Sequence, residues 1–293
     1  MLIALYNLEP KYSNLALEKC RMYHKLKGDT VQDYIPLYDN QYDLIYCSSI
    51  FTATKKPWAY MDKRWIYGGT GFNLTTVLPD EIDSMKPKLN FGFTMRGCPN
   101  KCEFCAVPQK EGPPRPTGDI YDLWDGKSKS VKLYDNNIFA LPEHFRLIAS
   151  QIKKENLKVD WNQGLDARLL SDEFASILAG LRHDDYRFAM DHYGMERIVE
   201  DTCKLMASYG MKRNTWMVLV GMNTTLQQDY DRLEFLKSLS QNACVMRYRK
   251  ITDDMPESKC DGENKHIYSQ MARWANQHHM FQAMSFEQFD KLK

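Results

Sequence analysis

The stretch LNFGFTMRGCPNKCEFC, Leu89 to Cys105, decides how the rest of the chain is read. Its first part, Leu89–Met95, is a strand-like apolar run. It leads straight into a loop that carries Cys98, Cys102 and Cys105 at C-x3-C-x2-C spacing. Three thiolates on one short loop can wrap one corner of an iron–sulfur cube, whereas a four-iron cluster ordinarily takes four cysteines. No fourth cysteine is near in sequence, which leaves one iron open to a non-protein ligand. Gly97 permits the tight backbone that a ligand loop needs. The alternative is a structural zinc site, which asks for four closed ligands. Its fourth donor would have to come from far away: His183 and His192 lie in later segments, and His278 and His279 lie near the chain end.

Outward from this loop, strand-like and helix-like stretches alternate. After Leu89–Met95 the strand candidates are Val131–Tyr134, Lys158–Trp161, Tyr186–Met190, Thr215–Val220 and Ala243–Tyr248, with successive starts 42, 27, 28, 29 and 28 residues apart. Such a spacing accommodates one strand, one helix and two turns. Helices fill the gaps. Pro142 suits a first helical turn, with Phe145, Ile148, Ala149 and Ile152 on one face. Ser171 is an expected N-cap, followed by Asp172 and Glu173 in the first turn. Further apolar stripes run through Met195–Met206 and Leu226–Leu236. Six strands alternating with helices imply a parallel sheet with right-handed crossovers. An incomplete barrel and an open doubly wound sheet both satisfy this pattern, and both place the active site at the C-terminal ends of the strands.

The first 85 residues read differently. Leu2–Leu5, Thr30–Ile35, Asp43–Cys47 and Arg64–Tyr67 are short strand candidates. Ser13 is the expected cap of a helix with Ala16, Cys20, Tyr23 and Leu26 on one face, closed by Gly28. This is a small Rossmann-like α/β pattern, and Leu78–Lys88, with Pro79 and Pro87, reads as a linker. The expected organisation is a Rossmann-like α/β domain at 1–85, a β/α repeat domain at 86–250, and a helical extension at 251–293 with a helix near Lys265–Gln277. Tyr67-Gly68-Gly69-Thr70-Gly71 lacks the lysine and spacing of a phosphate loop and reads as a turn.

Composition sets the outer bounds. Of 293 residues, 43% are hydrophobic and the formal net charge is +1, so a polyelectrolyte and a disordered chain are both excluded. No apolar run approaches the roughly 20 residues of a membrane helix, and the N-terminus does not read as a signal peptide. The expected location is the cytoplasm, where clustered cysteines serve metal or redox chemistry. The isolated Cys20, Cys47, Cys203, Cys244 and Cys260 read as small buried hydrophobes. Near-neutral charge gives no global argument for nucleic acid, although a local basic patch would suffice for RNA.

The C-x3-C-x2-C loop, with Phe104 just before its third cysteine and a β/α repeat behind it, resembles the radical S-adenosylmethionine superfamily over about residues 89–250. The resemblance implies a partial (β/α)6 barrel. It implies that Cys98, Cys102 and Cys105 hold three irons of a 4Fe-4S cluster, and that S-adenosylmethionine chelates the fourth. One electron then cleaves the cofactor to methionine and a 5′-deoxyadenosyl radical, which abstracts a hydrogen from a substrate the sequence does not name. A flavodoxin- or ferredoxin-type reductant is the implied partner.

Other positions follow from the same resemblance. Phe104 is expected near the adenine. Asp135, Asn136 and Asn137 stand where many members carry a Gly-Gly-x-Pro segment, and they offer acceptors to the methionine ammonium. Their other reading is an Asx-rich turn before Pro142. Gln163 is expected at the ribose or substrate, and Arg168 at the methionine carboxylate, unless Arg168 simply pairs with Asp166. Asp191 suits ribose hydroxyls, His192 could move a proton, and Gly221 would let backbone approach the adenine. The N-terminal unit faintly resembles a degenerate cobalamin-binding domain. It lacks the Asp-x-His-x-x-Gly loop, and His24 lies in a helix without that motif, so the expectation is against cobalamin. The alternatives are methyl or methylthio transfer to RNA or a peptide, and a non-catalytic iron–sulfur or zinc module. Cys20 and Cys47 are too few for the second cluster that methylthio transfer normally needs.

Overall fold

Strand β1 (Leu2–Asn7) buries Ile3, Ala4 and Leu5 and pairs in parallel with a strand on each side. In the computed structural model, which describes residues 1–56 and 62–291, β1 is followed by α1 (Leu15–Leu26), β2 (Thr30–Asp33), β3 (Leu44–Ser48) and β4 (Trp65–Gly68). The four strands form one parallel sheet in the order β2-β1-β3-β4. The cap of α1 is Asn14, one residue later than expected: its side chain accepts from the Leu17 N–H at 3.2 Å. The buried face of α1 is also turned from the expected one. It carries Leu17, Cys20 and His24, while Leu26 is exposed. His24 is buried because both ring nitrogens have partners, Asp29 Oδ2 at 2.7 Å and Tyr46 OH at 3.1 Å. The expected linker contains a helical turn, α2 (Asp80–Asp83), and its Ile82 packs with Ile3, Leu5 and Leu17. This first compact unit is Met1–Leu89, and the second is Asn90–Lys293.

The second unit opens with β5 (Phe91–Gly92), β6 (Met95–Arg96), α3 (Val107–Glu111), β7 (Arg115–Pro116) and α4 (Ile120–Leu123). It continues through β8 (Ser130–Leu133), α5 (Pro142–Lys154), β9 (Lys158–Trp161), α6 (Asp172–Ala179), β10 (Arg182–His183) and β11 (Arg187–Ala189). Then come α7 (Glu196–Ser208), β12 (Thr215–Val220), α8 (Leu226–Ser238), β13 (Asn242–Arg247) and the closing helices α9 (Lys265–Ala275), α10 (His278–Ala283) and α11 (Phe286–Asp290). Two parallel sheets result, β10-β9-β8-β5 and β11-β12-β13, and among the described residues a single isolated parallel bridge, Leu165 to Phe188, lies between them. The protein is therefore a mixed α/β chain with parallel sheets. Every residue of β12 is buried, as befits a strand covered on both faces.

Two local departures shape the site. The expected strand Leu89–Met95 is broken. Only Phe91–Gly92 pairs with β8, and Met95–Arg96 pairs antiparallel with Arg115–Pro116. The backbone N–H groups of Thr94 and Met95 donate to the Asp135 carboxylate instead of to a neighbouring strand. The expected fourth strand, Tyr186–Met190, forms as the shorter β11, and the unexpected β10 just before it lies in the other sheet. The hydrophobic core of this unit includes Phe139, Phe145 and Phe174, with Phe145 and Phe174 ring centroids 4.7 Å apart. Helix α8 adds a buried ion pair that the apolar pattern did not announce. Asp229 accepts from the Gly221 N–H (2.8 Å), Thr224 Oγ1 (2.5 Å) and Arg232 Nη2 (2.6 Å). Arg232 also donates to the carbonyls of Met190 and Leu219. The pair thus ties α8 to the segments that follow β11 and to β12.

Candidate functional site

The cysteine loop is held from within the second unit. Gly97 has φ +84°, and a Cβ there would lie 2.1 Å from the Pro113 carbonyl oxygen, so only glycine fits. Beyond it, Cys98, Cys102 and Cys105 all line one cavity of ≈ 250 Å³. The opposite walls come from the segments after β8 (Asn136, Asn137), β9 (Gln163–Asp166, Arg168) and β11 (Asp191, His192). These are C-terminal ends of parallel strands, where α/β folds place their ligands. Among the described residues no three His, Cys, Asp or Glu side chains converge on a single ion position, so the thiols meet at a cavity and not at a point. Burial pushes the Cys102 and Cys105 thiols up, and the Arg168 guanidinium pulls Cys102 back.

A polar hub that sequence reading treated as secondary links the walls. Asp166 accepts from Asn100 Nδ2 (3.1 Å), Asn137 Nδ2 (3.0 Å), and Arg168 Nε and Nη2 (2.7 Å each). Burial alone would raise its carboxyl, but Arg168 and Asn137 hold it below the ordinary value. Arg168 lines the cavity, yet its fork is engaged by Asp166, the simpler of its two expected pairings. Phe104 lies 6.0 Å from the His192 ring and packs with Leu219, Met222 and Tyr248.

Two expected site residues are placed away from the cavity. Asp135 is buried beneath the loop. There its carboxylate accepts from the Thr94 and Met95 backbones and from Thr94 Oγ1, and burial pushes its pKa up to about 6. Gly221 has φ +75°, and a Cβ there would lie 2.3 Å from Cys260 Sγ, so its close approach is to the protein's own chain. The residues around Asp166 that sequence reading missed, Asn100 foremost, carried no signal beyond lying inside the cysteine motif.

Two residues that line the cavity each carry a buried acceptor with no protein partner among the described residues: Asn137 Oδ1 and Asp191 Oδ1. Burial pushes the Asp191 carboxyl up to about 6, although Arg232 and Arg168 oppose the rise. Buried acceptors without partners are costly and call for a donor. Three thiols and two orphaned acceptors around one cavity suit an iron–sulfur cluster beside a small molecule rich in N–H and O–H groups.

No protein-family model matches the sequence, and no curated protein matches it. Solved structures do share its fold. The radical S-adenosylmethionine methyltransferase TsrM from Kitasatospora setae, with cobalamin and a 4Fe-4S cluster bound, superposes with a TM-score of 0.63 at 12% identity, covering 83% of this chain and 74% of that one. The same enzyme with tryptophan substrate and the S-adenosylmethionine analogue aza-SAM bound gives 0.61 at 12% identity, covering 83% and 72%. Asn90–Lys293 holds 204 of the 293 residues, fewer than 83% of them, so the likeness runs into the first unit. The expectation against cobalamin is corrected here: a protein of this fold was solved with cobalamin bound. The missing Asp-x-His-x-x-Gly loop speaks only to a histidine on the cobalt, and His24 is committed to Asp29 and Tyr46.

Proposed function

We propose that this chain is a radical S-adenosylmethionine enzyme whose cavity holds a 4Fe-4S cluster on Cys98, Cys102 and Cys105, with S-adenosylmethionine beside it. The observation that carries this reading is that one cavity is lined by that trio together with Asn137 and Asp191, each of which keeps a buried oxygen without a partner among the described residues. When bound, the pair supplies one-electron cleavage of a carbon–sulfur bond, and with it a 5′-deoxyadenosyl radical for hydrogen abstraction. The chain's own part is to bind and orient. Asn137 Oδ1 accepts from the ammonium, Asp191 accepts from ribose hydroxyls, and Phe104 with its apolar neighbours offers a face to the adenine. In this reading the two sheets of the second unit, joined at Leu165 and Phe188, are the wall of a partial (β/α)6 barrel. A flavodoxin- or ferredoxin-type protein supplies the electron, and the enzyme works in the cytoplasm.

A second reading, methyl transfer, is favoured by one observation: the likeness to a methyltransferase extends beyond the cluster-bearing unit into the first. It differs in product. Hydrogen abstraction yields 5′-deoxyadenosine, whereas methyl transfer leaves S-adenosylhomocysteine.

Anaerobic reconstitution with iron and sulfide tests both. The expected result is about four irons per chain and broad visible absorption that disappears in C98A, C102A and C105A. Reduction in the presence of S-adenosylmethionine then gives 5′-deoxyadenosine and methionine for the first reading, whereas the second gives S-adenosylhomocysteine only when a methyl acceptor, such as reduced cobalamin, is added. Stable zinc with no iron uptake would overturn the proposal. Titration with cobalamin, read by its visible spectrum, separates the two reactions further.

A further inference from the structure

We propose that Asp135-Asn136-Asn137 is a clamp that fixes the cysteine loop and tunes the Cys98 thiolate, an inference that rests on the reading of Cys98 as a cluster ligand. Strands β5 and β8 are parallel neighbours, in register at Gly92 and Leu133. Past Gly92 the first of them stops being a strand, yet the pairing continues, with side chains in place of backbone. Asp135 Oδ1 accepts from the Thr94 N–H (2.6 Å) and the Met95 N–H (3.0 Å), and its Oδ2 accepts from Thr94 Oγ1 (2.6 Å). Asn136 Oδ1 accepts from the Gly97 N–H (2.8 Å). Asn137 Nδ2 donates to Cys98 Sγ (3.6 Å) and to Asp166 Oδ2 (3.0 Å). Three successive residues thus grip Thr94–Cys98 in matching order.

The chemistry of each contact sets its role. The carboxylate of Asp135 takes the Thr94 and Met95 N–H groups, which donate to no neighbouring strand, so neither of these two buried donors is left open. Asn136 holds the one residue whose left-handed backbone turns the chain into the loop. The amide of Asn137 has only one sensible orientation. Asp166 is acceptor-only when ionised, so the amino group must face it, and that places the same amino group against Cys98 Sγ. Sulfur is a large, weak acceptor, and 3.6 Å suits an N–H···S contact. Hydrogen bonds to cluster sulfurs are among the levers that set reduction potential. A donor here stabilises the added negative charge of the reduced state and raises the potential. Asp166, braced by Arg168, keeps that donor aimed. The clamp also accounts for the departure from a glycine-rich segment at this position: glycines could supply none of these side-chain bonds. Asn137 Oδ1 keeps no protein partner among the described residues, so the amide's hold on the loop leaves its acceptor uncommitted.

Two variants separate tuning from holding. In N137A, reconstituted without S-adenosylmethionine, iron content should match the wild type while the midpoint potential, followed by electron paramagnetic resonance during redox titration, shifts downward beyond titration error. In N136A the potential should stay put, while amide exchange at Gly97 in the cluster-free protein rises about tenfold, the loss of one hydrogen bond. An unchanged potential in N137A overturns the tuning, and unchanged Gly97 exchange in N136A overturns the clamp. If N137A does not fold, N137S replaces it, since a serine hydroxyl is too short to reach both Asp166 and Cys98. A wild-type chain that takes up no iron overturns the cluster reading and the tuning with it, and the exchange measurement still decides the clamp.

Discussion

Replacing Asp191 by asparagine should stabilise the cluster-free protein at neutral pH. The carboxylate has one oxygen sealed in the cavity wall without a partner, and burial raises its pKa from the ordinary 3.8 to about 6 despite the guanidinium groups of Arg232 and Arg168. A rise of about two units is worth at most about 3 kcal/mol, at 1.36 kcal/mol per unit. The residue is only half-buried, so solvent screening reduces the expected gain to about 1–3 kcal/mol. The sign follows from linkage. Below about pH 4 the group is protonated in both the folded and unfolded chain, so wild type and variant should be equally stable. As pH rises from about 4 to about 6 the wild type must ionise a group that its folded state prefers neutral, and it loses stability relative to the variant. Above that window the difference is constant. Urea denaturation at several pH values measures it directly, and thermal melts should show about 2–4 °C per kcal/mol for a domain of this size. S-adenosylmethionine affinity of the reconstituted variant should fall about tenfold, because an acceptor has become a donor. A variant that is destabilised at pH 7.5, or one whose advantage does not change with pH, would refute the reasoning.

Other substitutions separate backbone, charge and packing effects. Gly28 and Gly97 share a left-handed φ, but a Cβ at Gly28 meets nothing within 4 Å while one at Gly97 meets the Pro113 carbonyl. G28A should therefore cost about 1 kcal/mol and G97A well over 2, with loss of iron uptake, as judged by urea denaturation and metal analysis; equal costs would contradict the account of the loop. D229A leaves Arg232 charged and fully buried, and should lower unfolding free energy by about 3–5 kcal/mol. F145A removes the centre of an aromatic cluster and should cost about 3–5 kcal/mol by the same measurement. S171A loses the side-chain bond to the Phe174 N–H and should cost about 1 kcal/mol.

Regular strands with ordinary partners were legible in advance. Lys158–Trp161 and Thr215–Val220 occupy the residues that the apolar runs indicate, and Val131–Tyr134 and Ala243–Tyr248 shift by one. Legibility fails where a side chain takes over a backbone's role. Leu89–Met95 reads as one strand because its composition is apolar, but Asp135, forty residues on, captures two of its N–H groups. His24 and Arg232 lie on buried helix faces because distant partners satisfy them, which no periodicity reports. At the site, the cysteine loop declares itself through spacing alone, whereas Asn100 and Asp166 gain their importance only when three strand ends are brought together. Asp135 shows the converse: chemically suited to a ligand, it is spent on the fold.

The Leu165–Phe188 bridge, solitary among the described residues, has a bearing on how the cavity is walled. Two leaves meeting at one backbone stitch are joined mainly by side chains, through a shared hydrophobic core and the Arg187–Asp160 ion pair, besides the Leu165 N–H to the Arg187 carbonyl. Gly164 and Met217 sit beside that stitch and line the cavity, the one without a side chain and the other with a pliant one. The room at this crease is therefore set by side chains and not by a ladder, and a methyl group added at Gly164 would meet Met217 Cε at 2.1 Å.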